Sequence, residues 1–224
     1  MTRSTVATWD APETVQGFVR SPANHTLLQY AGGLRRTDGP LHVLDIGCGA
    51  GRNAVPLARA GLFVKGTDLS WPMLDAAAAR DAAGRLQLAL APMDALPVSD
   101  RSVDLIIAHG IWNLARSGAE FRRAIGEAAR VAAPDARLFV FTFSRHTLPP
   151  AEQPVAGETF VFTRFSGEPQ VFLTRDQLVD ELHRAGFDAD PDLPMRELNL
   201  PPPGRVQLGG PPVIWEGGFR FSGA

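Results

Sequence analysis

Lysine is nearly missing from this chain: Lys65 is the only one among 22 basic residues, and 24 acidic residues outnumber them to give a formal charge of −2. No broad cationic field exists to hold a nucleic acid backbone or an anionic membrane surface, so neither partner is expected. Cysteine is reduced to Cys48. A lone cysteine excludes an internal disulfide and denies a metal site the sulfur pair that zinc motifs use, so no metal and a reducing, cytoplasmic compartment are expected. No uncharged apolar run approaches the roughly 20 residues that span a bilayer, and Met1 to Asp10 lacks an apolar stretch behind a basic head. What remains is 224 residues, 45% hydrophobic and 21% charged, enough for one globular domain with a sizeable core.

The apolar runs arrive at regular intervals. Leu41–Ile46, Leu62–Thr67, Leu86–Leu90, Val103–Ala108 and Arg137–Phe143 read as buried strands. Between them, Asn53–Ala60, Trp71–Ala83 and Phe121–Val131 have helical spacing, with Gly61 placed to stop the first and Pro72 in the first turn of the second. Such alternation demands crossover connections, hence a doubly wound, mostly parallel sheet of about seven strands with helices on both faces. Residues 1–40 read as a helical cap broken near Pro22, 41–144 as the core, and 145–173 as an insertion over the site. Residues 174–224 read as a helix opened by the capping box Thr174-Arg175-Asp176-Gln177, followed by closing strands. Val213–Glu216 and Phe219–Phe221 are expected to pair as an antiparallel hairpin through Gly217-Gly218.

The chemistry concentrates after the first strand. Gly47, Gly49 and Gly51 make a tight bend in which backbone approaches a nucleotide-like ligand. A dinucleotide-binding turn carries its third glycine three positions after the second, where this chain has Arg52. Asp45, just before the bend, repels a pyrophosphate and suits an ammonium group, so the pattern favours a cationic ligand. Asp68 follows Gly47 by about the twenty-residue interval at which an acid meets a ribose diol. Asp94, after the third strand, is placed to accept from an exocyclic amine, and Leu69 and Met73 offer apolar surface to a purine.

Val43-Leu44-Asp45-Ile46-Gly47-Cys48-Gly49-Ala50-Gly51-Arg52-Asn53 resembles the first motif of the class I S-adenosylmethionine-dependent methyltransferases. Gly66-Thr67-Asp68-Leu69-Ser70-Trp71-Pro72-Met73-Leu74 is similar to their acidic loop, and Asp94-Ala95-Leu96-Pro97 with Ser102-Val103-Asp104-Leu105-Ile106 to their next two motifs. The resemblance runs from Leu41 to about Phe143. It implies a Rossmann-like fold binding S-adenosyl-L-methionine, with the glycine loop under the methionine part, Asp68 on the ribose and Asp94 at the adenine amine. It also implies that His109, ending the fourth strand, lies near the methionine part, with Arg52 and Asn53 as outer contacts.

Cys48, between two backbone-binding glycines, has little use for thiolate chemistry and is read as loop packing. His109 stands as either a general base or a cofactor wall. Trp112 either lines an acceptor pocket or packs beneath the next helix. Trp9 and Phe18 are candidates to cap the ligand, and His146 and Phe165, with Phe160 and Phe162, to touch substrate or fill core. No Asn/Asp-Pro-Pro-aromatic run follows the fourth strand, where Gly110-Ile111-Trp112-Asn113 stands instead, so a small-molecule methyl acceptor is expected rather than DNA or RNA. The rivals are a noncatalytic S-adenosylmethionine-binding module, which would bind donor without turnover, and an NAD-dependent oxidoreductase, which the Arg52 position disfavours. Oligomeric state is not legible.

Overall fold

A computed structural model describes residues 9–35, 39–81, 84–201 and 210–223. The expectations for residues 1–8, for the end of the 71–83 helix and for 202–209 of the Pro-rich tail lie outside these. In chain order the elements are α1 (Pro12–Arg20), α2 (His25–Gly33), β1 (His42–Ile46), α3 (Ala54–Arg59), β2 (Phe63–Asp68), α4 (Trp71–Ala78) and β3 (Leu86–Leu90). Then come β4 (Val103–His109), α5 (Gly118–Val131), β5 (Ala132–Phe143), β6 (Val161–Phe162), β7 (Gln170–Val171), α6 (Arg175–Arg184), β8 (Phe187–Ala189), β9 (Arg196–Leu198) and β10 (Ile214–Phe221).

Eight strands form one sheet in the order β3-β2-β1-β4-β5-β10-β8, with β9 also paired to β10. The pairs among β1 to β5 are parallel, and β10 runs antiparallel to β5, β8 and β9. The order reverses at β1, and ligands of such sheets collect beyond the carboxyl ends at that point. Alternation along each strand builds two cores. Leu44, Ile46, Ile106, Leu138 and Val140 face α5 and α6, whereas Val43, Leu105, Ile107 and Phe139 face α2 and α3. The Rossmann-like architecture with a closing antiparallel strand is as the alternation predicts.

Three local readings are corrected. The expected terminal hairpin is a single strand: Gly217 and Gly218 lie inside β10, opposite Val140 and Phe139. They are glycine because other segments cross there, a Cβ on Gly217 falling 2.8 Å from Met195 Cα and one on Gly218 2.8 Å from Leu193 Cβ. The helix expected from Trp71 is assigned only to Ala78, and that expected from Phe121 begins at Gly118, where the Ser117 hydroxyl caps the Glu120 amide. Strands β8 and β9 have too few residues to carry a period.

Valine at Gly217 is expected to destabilise by about 1–3 kcal/mol, because the side chain must displace backbone. Alanine at Gly126, exposed on α5 with nothing within 4 Å of the added methyl, is expected to stabilise by about 0.5–1 kcal/mol. Urea unfolding of both variants checks this; a hairpin tip at Gly217 would tolerate the larger residue.

Candidate active site

β1 hands the chain to a loop whose glycines all take positive φ, 67° at Gly47, 53° at Gly49 and 73° at Gly51. Space there is equally restricted. An added Cβ would lie 2.6 Å from Ile111 Cδ1 at Gly47, 3.2 Å from Phe18 Cδ1 at Gly49 and 2.8 Å from Val55 Cγ2 at Gly51. The loop is tied to β2 by Asp68, whose two oxygens accept from the Gly49 amide at 2.8 Å and the Ser70 amide at 2.9 Å. Each carboxylate oxygen keeps a further lone pair for a ligand hydroxyl. Ser70, not Asp68, caps α4 through the Met73 amide.

Leu69, beside Asp68, is 71% exposed, whereas Met73 is buried with Val15 and Ala50 behind the loop. The Asp94 carboxylate pairs with Arg123 at 3.0 Å, and the Ala95 amide closes a turn onto the Pro92 carbonyl. Cys48 is buried, and burial pushes its thiol well above its ordinary pKa, in keeping with packing rather than nucleophilic use.

Behind the loop sits an unbalanced set of charges. Asp45 is 2% exposed and its Oδ2 has no hydrogen-bond partner among the described residues. Burial raises its pKa to about 7, with Asp68 adding to the rise and Arg52 and the Ala54 amide opposing it. Arg52 Nη2 donates to His109 Nδ1 at 2.8 Å. A neutral imidazole has one acceptor nitrogen and arginine only donates, so the His109 proton sits on Nε2. The 3.3 Å approach of Asn24 Nδ2 to that Nε2 is therefore a packing contact. The His109 ring stacks on Phe141 at 4.1 Å, and burial followed by the Arg52 charge lowers its pKa to about 3. His109 is therefore neutral and a weak base. Asn53 is buried, and its Oδ1 accepts from the Asn24 amide at 2.9 Å, which brings the start of α2 onto the loop.

Of the remaining candidates, Phe18 lies against Gly49 with Trp9 edge-on to it at 5.9 Å. Trp112 is fully buried and edge-on to Phe121, packed beneath α5. Phe160 and Phe162 are likewise core. Phe165 is 45% exposed beside Phe143, and His146 bonds Glu197 beyond β5. Sequence reasoning missed Asn24 and the buried Glu216, which accepts from Asn24 Nδ2 at 2.8 Å and pairs with Arg196. Partners 192 positions apart leave no sequence signal. A cavity of about 310 Å³ lined by His42, Phe63 and Arg85 lies at the opposite, amino end of the strands.

The two shifted groups act on stability in opposite senses. Stability contributed by the raised Asp45 is full below 3.8 and is lost as pH rises to about 7; that of the depressed His109 is full above 6.5 and is lost as pH falls to about 3. Asp45→Asn removes only the first. Between about pH 7 and about pH 5 the variant is expected to lose more stability on acidification than the parent protein, and His109→Gln less, as read by urea unfolding at intermediate pH values.

Residues 43–135 match the family model described as "Methyltransferase domain". The demethylmenaquinone methyltransferase of Corynebacterium glutamicum (strain R) is 34% identical over 108 residues, covering 48% of this chain and 44% of that protein. The chain thus matches less than half the length of this curated relative. An S-adenosylmethionine-dependent methyltransferase structure from Mesorhizobium loti superposes with TM-score 0.65 at 19% identity, over 86% of this chain and 96% of that one. The Burkholderia thailandensis 1,6-didemethyltoxoflavin-N1-methyltransferase, solved with S-adenosylhomocysteine, gives 0.64 at 17% identity over 93% and 78%. The glycine loop and the acids at the strand tips, Asp45, Asp68 and Asp94, all fall within residues 43–135, the stretch that matches the methyltransferase domain model.

Proposed function

We propose that this protein transfers the methyl group of S-adenosyl-L-methionine to a small-molecule acceptor. The observation that carries the reading is the buried Asp45 Oδ2, without a hydrogen-bond partner among the described residues, at the end of the strand that leads into the glycine loop held by Asp68. A carboxylate so placed is costly unless a cation meets it. The donor set fits: Asp45 and the loop backbone for the amino-acid part, Asp68 for the ribose hydroxyls, Asp94 for the adenine amine, Leu69 for the purine face. Arg52, Asn53 and His109 close the methionine side, and Trp9 and Phe18 on the N-terminal segment cover the loop.

When bound, the donor supplies an electrophilic methyl group on a sulfonium. The chain's own part is alignment and exclusion of water: a rigid loop fixes the donor, and α1 shields it. His109 lies near the methionine part as a neutral wall. Its Nδ1 is occupied by Arg52 and its pKa lies at about 3, so it shapes the site and takes up protons poorly. A small acceptor is supported by the acidic surface balance, and an aromatic one by the demethylmenaquinone and didemethyltoxoflavin named for the two relatives.

Asp68→Ala is expected to weaken S-adenosylhomocysteine binding by about 10- to 100-fold, the loss of one or two charge-assisted bonds, and Gly49→Val to abolish it. Isothermal titration checks both; unchanged affinity in either variant, or NAD binding in place of S-adenosylhomocysteine, defeats the reading. Turnover is read by screening small acceptors with labelled donor, and tight donor binding with no acceptor methylated favours a noncatalytic binding module.

A further inference from the structure

Beyond the tip of β5, three side chains form a hydrogen-bonded group that the donor site does not use. Glu197 Oε1 accepts from His146 Nδ1 at 2.7 Å and from the Ser144 hydroxyl, whose oxygen accepts from the His146 amide at 3.1 Å. Ser144 is fully buried and the Glu197 side chain is 10% exposed, yet the imidazole they hold is 65% exposed. A carboxylate accepting from Nδ1 keeps the proton there and leaves Nε2 as a free acceptor. Desolvating Glu197 costs free energy that anchoring an exposed ring does not return by packing.

The backbone fixes where this acceptor stands. The Ser144 amide donates to the Val213 carbonyl and the Arg145 amide to the Leu173 carbonyl, each at 2.8 Å. The Arg145 guanidinium points into the insertion, on the carbonyls of Leu148, Pro149, Pro150 and Glu152 and over the Phe162 ring. β5 neighbours β4, with Phe141 opposite His109, so His146 stands at the same carboxyl edge of the sheet as the donor loop. At the end of β5, three residues before His146 in the chain, Phe143 stacks on Phe172 at 5.2 Å and Phe165 lies edge-on to both. Phe165 remains 45% exposed and offers an apolar face.

We infer that His146, positioned by Glu197, is the catalytic base for a phenolic acceptor whose ring lies on Phe143 and Phe165. The inference rests on the methyltransferase reading and names the acceptor class. In the step, an electron pair of the phenolic oxygen forms the bond to the methyl carbon, and the carbon–sulfur bond breaks with its pair left on sulfur. The hydroxyl proton passes to His146 Nε2, and the imidazolium faces the Glu197 carboxylate until solvent removes the proton. No further reactant is required. The pairing also supplies the basic group that His109 does not.

The test uses the full chain with S-adenosyl-L-methionine and two phenols, 1-naphthol and 4-methylumbelliferone. His146→Gln is expected to lower kcat by about 100-fold or more, within the usual contribution of a general base, with S-adenosylhomocysteine affinity unchanged by titration. Glu197→Gln should lower kcat without raising KM, and Glu197→Asp should restore part of it. Ring ¹⁵N shifts should place the His146 proton on Nδ1 in the parent protein and lose that preference in Glu197→Gln, a readout independent of turnover. Parent-like kcat in His146→Gln overturns the inference. Failure of the parent protein to methylate either phenol while it binds S-adenosylhomocysteine also overturns it and leaves the methyltransferase reading standing; failure to bind S-adenosylhomocysteine removes both.

Discussion

A carboxylate oxygen without a partner, buried at the carboxyl end of β1, is the constraint around which this molecule is arranged. Asp45 cannot be solvated, and the cation nearest to it, Arg52, is turned toward His109. The glycine loop, with no room for a Cβ, keeps backbone where a ligand must pass, and Asp68 holds that loop to β2 through the Gly49 amide. The arrangement is electrostatically incomplete in the protein alone. The cationic, adenosyl-bearing donor proposed above would complete it.

The rest of the molecule braces this edge of the sheet. Asn24 caps α2 through the Leu27 amide while its Nδ2 reaches Glu216 on β10, and its own amide rests on Asn53 beside the loop. A second buried set repeats the theme: the Tyr30 hydroxyl donates to Asp190 at 2.6 Å, and Arg137 pairs with the same oxygen at 2.8 Å. Burial and the Asp190 carboxylate hold the Tyr30 proton in place, its pKa well above the phenolic norm. Through these contacts α2 is bonded to β10 and to the turn after β8, so the first helices and the last strands behave as one support for the donor loop. Buried polar contacts of this kind favour one register among many.

The proposed donor and acceptor sites divide along the chain. The matched methyltransferase domain ends at residue 135, whereas Ser144, His146, Phe165 and Glu197 all lie after it. The crossover rules that make the first half regular do not govern the second, where a two-stranded ribbon, two short strands and a long antiparallel strand fill the edge. The proposed acceptor site is therefore assembled from segments with no common motif.

The amino-acid sequence by itself determined the parallel half of the sheet, the glycine bend and the acids at the strand tips. Each rests on short-range spacing: apolar runs of strand length, Gly-x-Gly-x-Gly where positive φ is needed, and aspartates at Asp45, Asp68 and Asp94. Tertiary structure alone decided the rest. His109 is held neutral by burial and by the Arg52 charge beside it, Trp112 went to the core because α5 covers it, and Gly217-Gly218 stayed extended because Met195 and Leu193 cross against them. The pairing of His146 with Glu197 joins positions 51 residues apart. Local spacing encodes backbone conformation, whereas the protonation, burial and partners of a side chain are set by whatever distant chain folds against it.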